Sequence, residues 1–437
     1  MVQSTVRSTC GRLFTIAAVL VVVRPGVLTA QDGNGGSPPP TQLPAAAAPP
    51  PSRPAGLFNE PNLVLGTIDL LSKKFGERTG EPKSGFYPEL SNMVTGAGWV
   101  AVGPGYRRLF SDGRVLVDGS AALSWHMYKM AQGRVELPKL ADGRLVVGAQ
   151  GMWQDETQVN YFGLGSNSIE DDRSQYRFQT HDVVGYGIYQ PKSSLAFSGE
   201  FGWLGRPKVL EPGGSFKGDF PDTRDAYPTD PAVRLATQPS LLRSEAAITA
   251  DTRDHRGYPM SGFVYRAAVT HYMDRSGGTF SFREYQGEAL QIVPLVARKW
   301  TLVLHGWAVA GDLADGHEIP FYLLPALGGY TTLRAYHNFQ FHDTNLLVVN
   351  AESRLRLTPH IDMAVFADAG NVGNRFADLN LDKTSYGVGL RLHTTSTTIA
   401  RMDVARGDEG WRVLFRTTEP FRLARIRRHV ATMPFMP

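Results

Sequence analysis

The feature that most constrains this chain is an alternation that recurs along it. In Leu346-Leu-Val-Val-Asn-Ala-Glu352-Ser-Arg354-Leu-Arg356-Leu, the polar set Asn350, Glu352, Arg354 and Arg356 interleaves with Leu347, Val349, Ala351, Ser353 and Leu355. A period of two is the strand period and puts the two sets on opposite faces. The pattern returns in 261–274, where Phe263, Tyr265, Ala267 and Val269 oppose Arg266 and Thr270. It returns in 383–393, where Tyr386, Val388, Leu390 and Leu392 oppose Gly387, Gly389, Arg391 and His393, and in 397–406, where Ala400, Met402 and Val404 oppose Arg401 and Asp403. Charges facing lipid without partners are costly, whereas charges facing a lumen are not. The fold class expected is all-β: a transmembrane antiparallel β-barrel, which leaves no unpaired sheet edge in the membrane.

Strand candidates are 96–107, 114–128, 132–139, 143–153, 156–163, 174–188, 193–205, 236–251, 261–274, 279–289, 298–311, 345–357, 361–370, 383–393, 397–406 and 410–418, which makes sixteen. An even number is what a single-chain bacterial barrel has. Ser111-Asp-Gly113, Ala141-Asp-Gly143 and Ser276-Gly-Gly278 mark hairpins between them. The longer connections 206–233 and 312–344 are expected on the extracellular side, because periplasmic turns are short. A soluble β-sandwich shares the period; the export signal, strand number and strand length favour the barrel.

Residues 1–30 read as a signal peptide: Arg7 and Arg12, the apolar run Leu13–Val23, then Leu28-Thr29-Ala30. That run is shorter than the roughly twenty apolar residues that span a bilayer. Residues 31–57 are a Pro/Ala/Gly-rich linker expected to be disordered. Residues 58–85 form a lead-in with one short helix at 60–76, started by Pro61 and read as a plug or packing element. The barrel is placed at 86–421 and a basic tail at 422–437, with Phe415 or Phe421 as a displaced terminal aromatic. The tail reads as a solvated extension that can touch anionic lipid. The one cysteine, Cys10, lies in the signal segment, so disulfide frameworks and cysteine metal sites are excluded. A net charge of +4 over 437 residues gives no support to nucleic-acid binding.

Three places carry a resemblance. Ala250-Asp251-Thr-Arg253-Asp254 is followed by Tyr258-Pro259 and Gly262; Gly328-Gly329 is followed by Leu333-Arg334-Ala335-Tyr336; and Phe366-Ala-Asp368-Ala-Gly370 follows that. Tyr161-Phe-Gly-Leu-Gly165 adds an early hairpin. In order and spacing these resemble the bacterial surface antigen family, the outer membrane protein 85 superfamily of BamA/TamA-type barrels, over roughly 85–420. The resemblance implies sixteen strands and a sixth extracellular loop folded inward. Its arginine, here Arg334, pairs with acidic residues of the inner wall, here Asp368 with Glu352 as a second candidate. Strand parity puts Asp368 on the face of Asp362 and Ala364. A lumen guanidinium wants a bidentate anion, and Gly328 and Gly329 free the backbone to fold inward. Two departures stand out: Ala335 replaces the family's glycine after the arginine, and the expected linker and helix stand where the family carries periplasmic POTRA domains.

The resemblance implies an outer-membrane location among outer-membrane lipids and lipopolysaccharide. It implies work in protein insertion, translocation or export, with a client polypeptide or a separate periplasmic partner. The alternative is a passive pore or structural barrel that keeps the fold without insertase activity. An enzyme is not expected: His305, His317, His337, His342 and Asp343 form no nucleophile or zinc spacing, and Asp312, Asp315 and Glu318 lack that of a calcium loop. No cofactor or metal is expected.

Overall fold

The computed structural model describes residues 84–91, 101–215, 217–255, 257–296, 299–394, 397–416 and 421, all within one compact unit, Arg53–Pro437. The signal segment, linker, 60–76 helix, the 96–100 part of the first strand candidate and the basic tail expected from the sequence lie outside the described residues.

The strands in chain order are β1 (Gly85–Ser91), β2 (Ala101–Phe110), β3 (Val115–Ser124), β4 (Lys129–Leu140), β5 (Leu145–Tyr161), β6 (Ser174–Lys192), β7 (Leu195–Leu204) and β8 (Lys208–Leu210). They continue as β9 (Leu241–Asp251), β10 (Gly262–Asp274), β11 (Phe282–Val296), β12 (Trp300–Leu313), β13 (Ala326–Leu327) and β14 (Phe341–His342). The last five are β15 (Asn345–Thr358), β16 (Ile361–Gly373), β17 (Lys383–His393), β18 (Thr398–Gly407) and β19 (Gly410–Arg416). Sixteen pair antiparallel with their chain neighbours from β1 round to β19. Short β8 adds to the outer part of β6, and β13 pairs with β14 inside the loop after β12. The architecture is the transmembrane β-barrel expected, and its strands carry it through the membrane; among the described residues no helix is long and apolar enough to cross.

The strand count agrees with the sequence reading, but two strands differ. The candidates 143–153 and 156–163 are one strand, β5, running through Gln154-Asp155-Glu156-Thr157 with an irregularity between Glu156 and Val159. That polar run resembles a break, yet a neighbouring strand and a turn hold two of its side chains, Asp155 and Thr157. Arg177 Nε and Nη2 each donate to Asp155 at 2.7 Å, and Thr157 Oγ1 donates to the His126 carbonyl at 2.7 Å. The strand that restores the count is β1, concealed by Pro88. In the register Pro88 faces Pro104. Neither can donate a ladder bond, so the pair fits a position where none is required.

Alternation is kept on the wall. On β15, Asn350, Glu352, Arg354 and Arg356 are buried, facing the lumen, while Val349 is exposed on the lipid side. The marked hairpins form, with Gly113 at φ +79°, Gly143 at +77° and Gly278 at +86°. Phe415 lies on the outer face of β19, 64% exposed, whereas Phe421 is buried against His305, ring centroids 4.7 Å apart. Short turns gather at one end of the barrel and long loops at the other. At the long-loop end an aromatic dome forms: Phe321 packs on Tyr161 and Tyr176 with centroids 5.0 and 4.9 Å away, and Tyr322 on Phe178 at 4.8 Å.

Candidate functional site

The site is built by the connection between β12 and β15, the sixth long loop. It contributes Phe321–Leu323 to the dome, is gathered by the β13–β14 ladder, and sends its tip into the barrel. The glycine pair allows the fold. Gly328 has φ +112° and Gly329 +93°. A Cβ on Gly328 would fall 2.0 Å from the His337 carbonyl oxygen, and one on Gly329 2.0 Å from Asn338 Oδ1. The Gly329 amide faces the carbonyls of Leu333 and Tyr336, each at 3.1 Å, and Tyr336 N donates to the Leu333 carbonyl at 3.1 Å. The tip is thus a tight internal turn with its own bonds.

Apolar packing seats the turn. Leu333, Ala335 and Tyr336 join Leu327, Phe341, Leu346, Val348, Phe366, Val372 and Ala405 in one buried cluster. The inward face of the wall therefore changes character: Leu346 and Val348 on β15 meet the loop, and the charged set begins at Asn350. Tyr336 also donates its hydroxyl to Asp408 Oδ2 at 3.0 Å and packs edge-on against Phe341.

Arg334, 1% exposed, carries the polar half. Its Nη2 and Nε donate to Asp368 at 2.7 and 3.0 Å, its backbone N reaches Asp368 Oδ2 at 3.2 Å, and its Nη1 donates to Glu352 Oε2 at 2.5 Å. Its Cζ sits 3.5 Å over the Phe366 ring. The structure thus brings together the expected Arg334, Asp368 and Glu352, with a cation–π floor beneath the guanidinium. Planar bidentate pairing to a desolvated carboxylate is among the stronger hydrogen-bonded contacts, and loss of one partner would leave a buried charge.

The sequence reading missed the surround. Asp368 also accepts from Asn350 Nδ2 at 2.8 Å and Ser385 Oγ at 2.7 Å, while Asn350 Nδ2 holds the Thr332 carbonyl at 2.6 Å. Glu352 accepts from Arg354 Nε at 2.8 Å and Arg391 Nη2 at 3.0 Å; Arg391 in turn donates to Asp403. Arg401 Nη2 holds the Tyr330 carbonyl at 2.7 Å. Parity had placed Arg391, Arg401 and Asp403 inward, but their partners depend on strand register, which alternation alone does not fix.

The loop is tied to other loops at its outer end. His337 Nε2 meets Glu170 Oε1 at 2.7 Å, Arg173 Nη2 lies 2.9 Å from His337 Nδ1, and Gln340 Nε2 donates to Glu409 Oε1 at 2.7 Å. Burial, with Arg412 and Arg173 nearby, pushes the His337 imidazole down to about 4; burial alone pushes His342 down to about 3. His305, by contrast, lies on the wall between Asn350 and Glu288. Among the described residues no cluster of His, Cys, Asp or Glu is arranged to hold a metal.

Asp251, Arg253, Pro259 and Gly262 are not part of this site. They lie in and beside the β9–β10 turn at the opposite end, where Asp251 accepts from Arg253 Nε at 3.0 Å and Nη2 at 2.8 Å.

A family model described as the Omp85 superfamily domain matches residues 159–408. No curated protein matches. Among solved structures, BamA from Haemophilus ducreyi lacking POTRA domains 1-3 is similar with a TM-score of 0.54 at 12% identity, over 77% of this chain and 70% of that one. CdiB from Acinetobacter baumannii gives 0.44 at 12% identity, over 77% of this chain and 57% of that one. CdiB from Escherichia coli gives 0.47 at 12% identity, over 77% and 63%. The BamA likeness is one of fold.

Proposed function

The chain belongs to the Omp85 superfamily, and from that premise we propose that it is an outer-membrane barrel that inserts, translocates or exports client polypeptides. The observation that carries this reading is the inward sixth loop, whose Arg334 is held between Asp368 and Glu352 on the lumen wall. A lumen filled by a packed, charge-locked loop suits a barrel whose work depends on loop and wall moving together. It does not suit a standing aqueous channel, so the passive-pore alternative has no observation in its favour. In this reading Arg334 is the latch, Gly328 and Gly329 give the bend, and Tyr336 secures the tip through Asp408. The surroundings are outer-membrane lipid and lipopolysaccharide, and the client is received directly or through a separate periplasmic partner.

The test is depletion of the protein in its own bacterium, followed by quantification of outer-membrane and secreted proteins. A defined subset should fall several-fold and be restored by the parent gene but not by Arg334→Ala. An unchanged protein profile, together with sugar-driven swelling of liposomes carrying the purified barrel, would overturn the reading in favour of a passive pore.

A further inference from the structure

The short-turn end of the barrel holds one connection that is not short. Residues 252–261 join β9 to β10, and their tip does not stay beside those strands. Its base is closed by one side chain: Asp254 Oδ1 accepts from the amides of His255, Met260 and Ser261 at 2.8, 3.0 and 3.3 Å. Gly262, at φ +104°, ends the segment where a Cβ would come within 2.5 Å of the Thr252 carbonyl oxygen. Arg253 is folded back onto Asp251. The segment is therefore a compact loop with a fixed neck and a projecting tip.

The tip reaches β15, β16 and β17. The Tyr258 ring stacks on His393 with centroids 3.7 Å apart and planes 10° from parallel. Its hydroxyl donates to Asp362 and accepts from Arg356 Nη2 at 3.0 Å. Gly257 forms a bridge with Thr397 in the β17–β18 turn, and Thr398 N donates to the Gly257 carbonyl at 2.9 Å. From β10 to β17 is five strand spacings, about 24 Å along the wall at the usual separation. Tyr258 is 1% exposed, and Met260 lies over Thr301 on β12, its sulfur 3.9 Å from Thr301 Oγ1.

We propose that the β9–β10 turn is a strap across the short-turn mouth of the lumen, pinned at Tyr258 and released when that residue leaves the Asp362–Arg356–His393 seat. The strap gives the Asp251, Arg253, Pro259 and Gly262 pattern a physical role: the Asp251–Arg253 pair and Gly262 set the neck, and Pro259 stiffens the chain directly after the anchoring tyrosine. It closes the end opposite the dome and the sixth loop, so anything entering the lumen from that side must first displace it. The strap is held by the barrel's own contacts, whatever client the barrel serves.

The test uses the full chain with Cys10→Ser and a reporter, Thr301→Cys, in lipid nanodiscs, labelled with a membrane-impermeant maleimide. The strap in place should keep labelling slow. Tyr258→Ala should speed it at least tenfold, and Tyr258→Phe, which keeps the stacking and loses both hydroxyl bonds, by a smaller factor. Heat-modifiable gel migration selects the folded fraction. Separately, Gly257→Cys with Thr397→Cys should form a disulfide on mild oxidation, the bridge placing their backbones within reach. Equal labelling of the parent and both Tyr258 variants would overturn the proposal, as would failure of the folded cysteine pair to cross-link.

Discussion

A methyl group at position 335 decides what its neighbour can be. Ala335 is buried in the loop-tip cluster, and a Cβ on Gly407 of β18 would lie 2.8 Å from its own. The departure from the family's glycine, plain in the sequence, is accommodated by a glycine across the contact, which no reading of the loop alone reveals. Gly407→Ala should therefore destabilise the barrel by about 1–3 kcal/mol through overpacking. Ala335→Gly in the same chain should recover at least half of that, and urea unfolding of the two single variants and the pair measures it. Independent, additive losses would mean the two positions do not share the space.

At the scale of the element, the sixth loop combines an apolar seat, a charge pair and a histidine-bearing outer rim. His337 and His342 have folded-state values below the ordinary imidazole range. The unfolded chain thus binds protons that the seated loop rejects, and stability is lost as pH falls from about 6.5 toward 4. Protonating His337 would also set a cation against Arg173 and Arg412, the groups that already depress it. The loop's amides should exchange with deuterium several-fold faster at pH 4.5 than at pH 7.5, after correction for intrinsic rates, while the amides of β15 and β16 hold. Uniform protection across that window would contradict this. How far such elements can be read from sequence varies. The β15 face and the Arg334–Asp368 pairing were legible because parity and a recognisable loop both bear on them. The split of β5 failed because a polar run inside a strand looks like a turn until its partners on β6 and in the β3–β4 turn are known. β1 failed because a proline reads as a break unless the facing proline is seen.

At the scale of the whole molecule, the lumen is obstructed at several levels. The Phe321 cluster caps the long-loop end, and fully buried Arg334, Arg391 and Arg401 fill the middle. Purified protein in planar bilayers should accordingly pass little current. Deleting 318–340 in the Tyr258→Ala background should raise conductance several-fold, because it removes the Phe321–Leu323 part of the cap, the tip with its Arg334 charge contacts and the pin of the strap together. A combined variant that folds and conducts like the parent would contradict closure of the lumen by the sixth loop and the strap.

The most direct measurement is a double-mutant cycle on Arg334→Ala and Asp368→Ala by urea unfolding in lipid vesicles. Each single substitution strands a buried charge and should cost about 3–5 kcal/mol, while the double variant costs little more than either. Single costs below about 1 kcal/mol that simply add would contradict a loop held in the lumen by this pair.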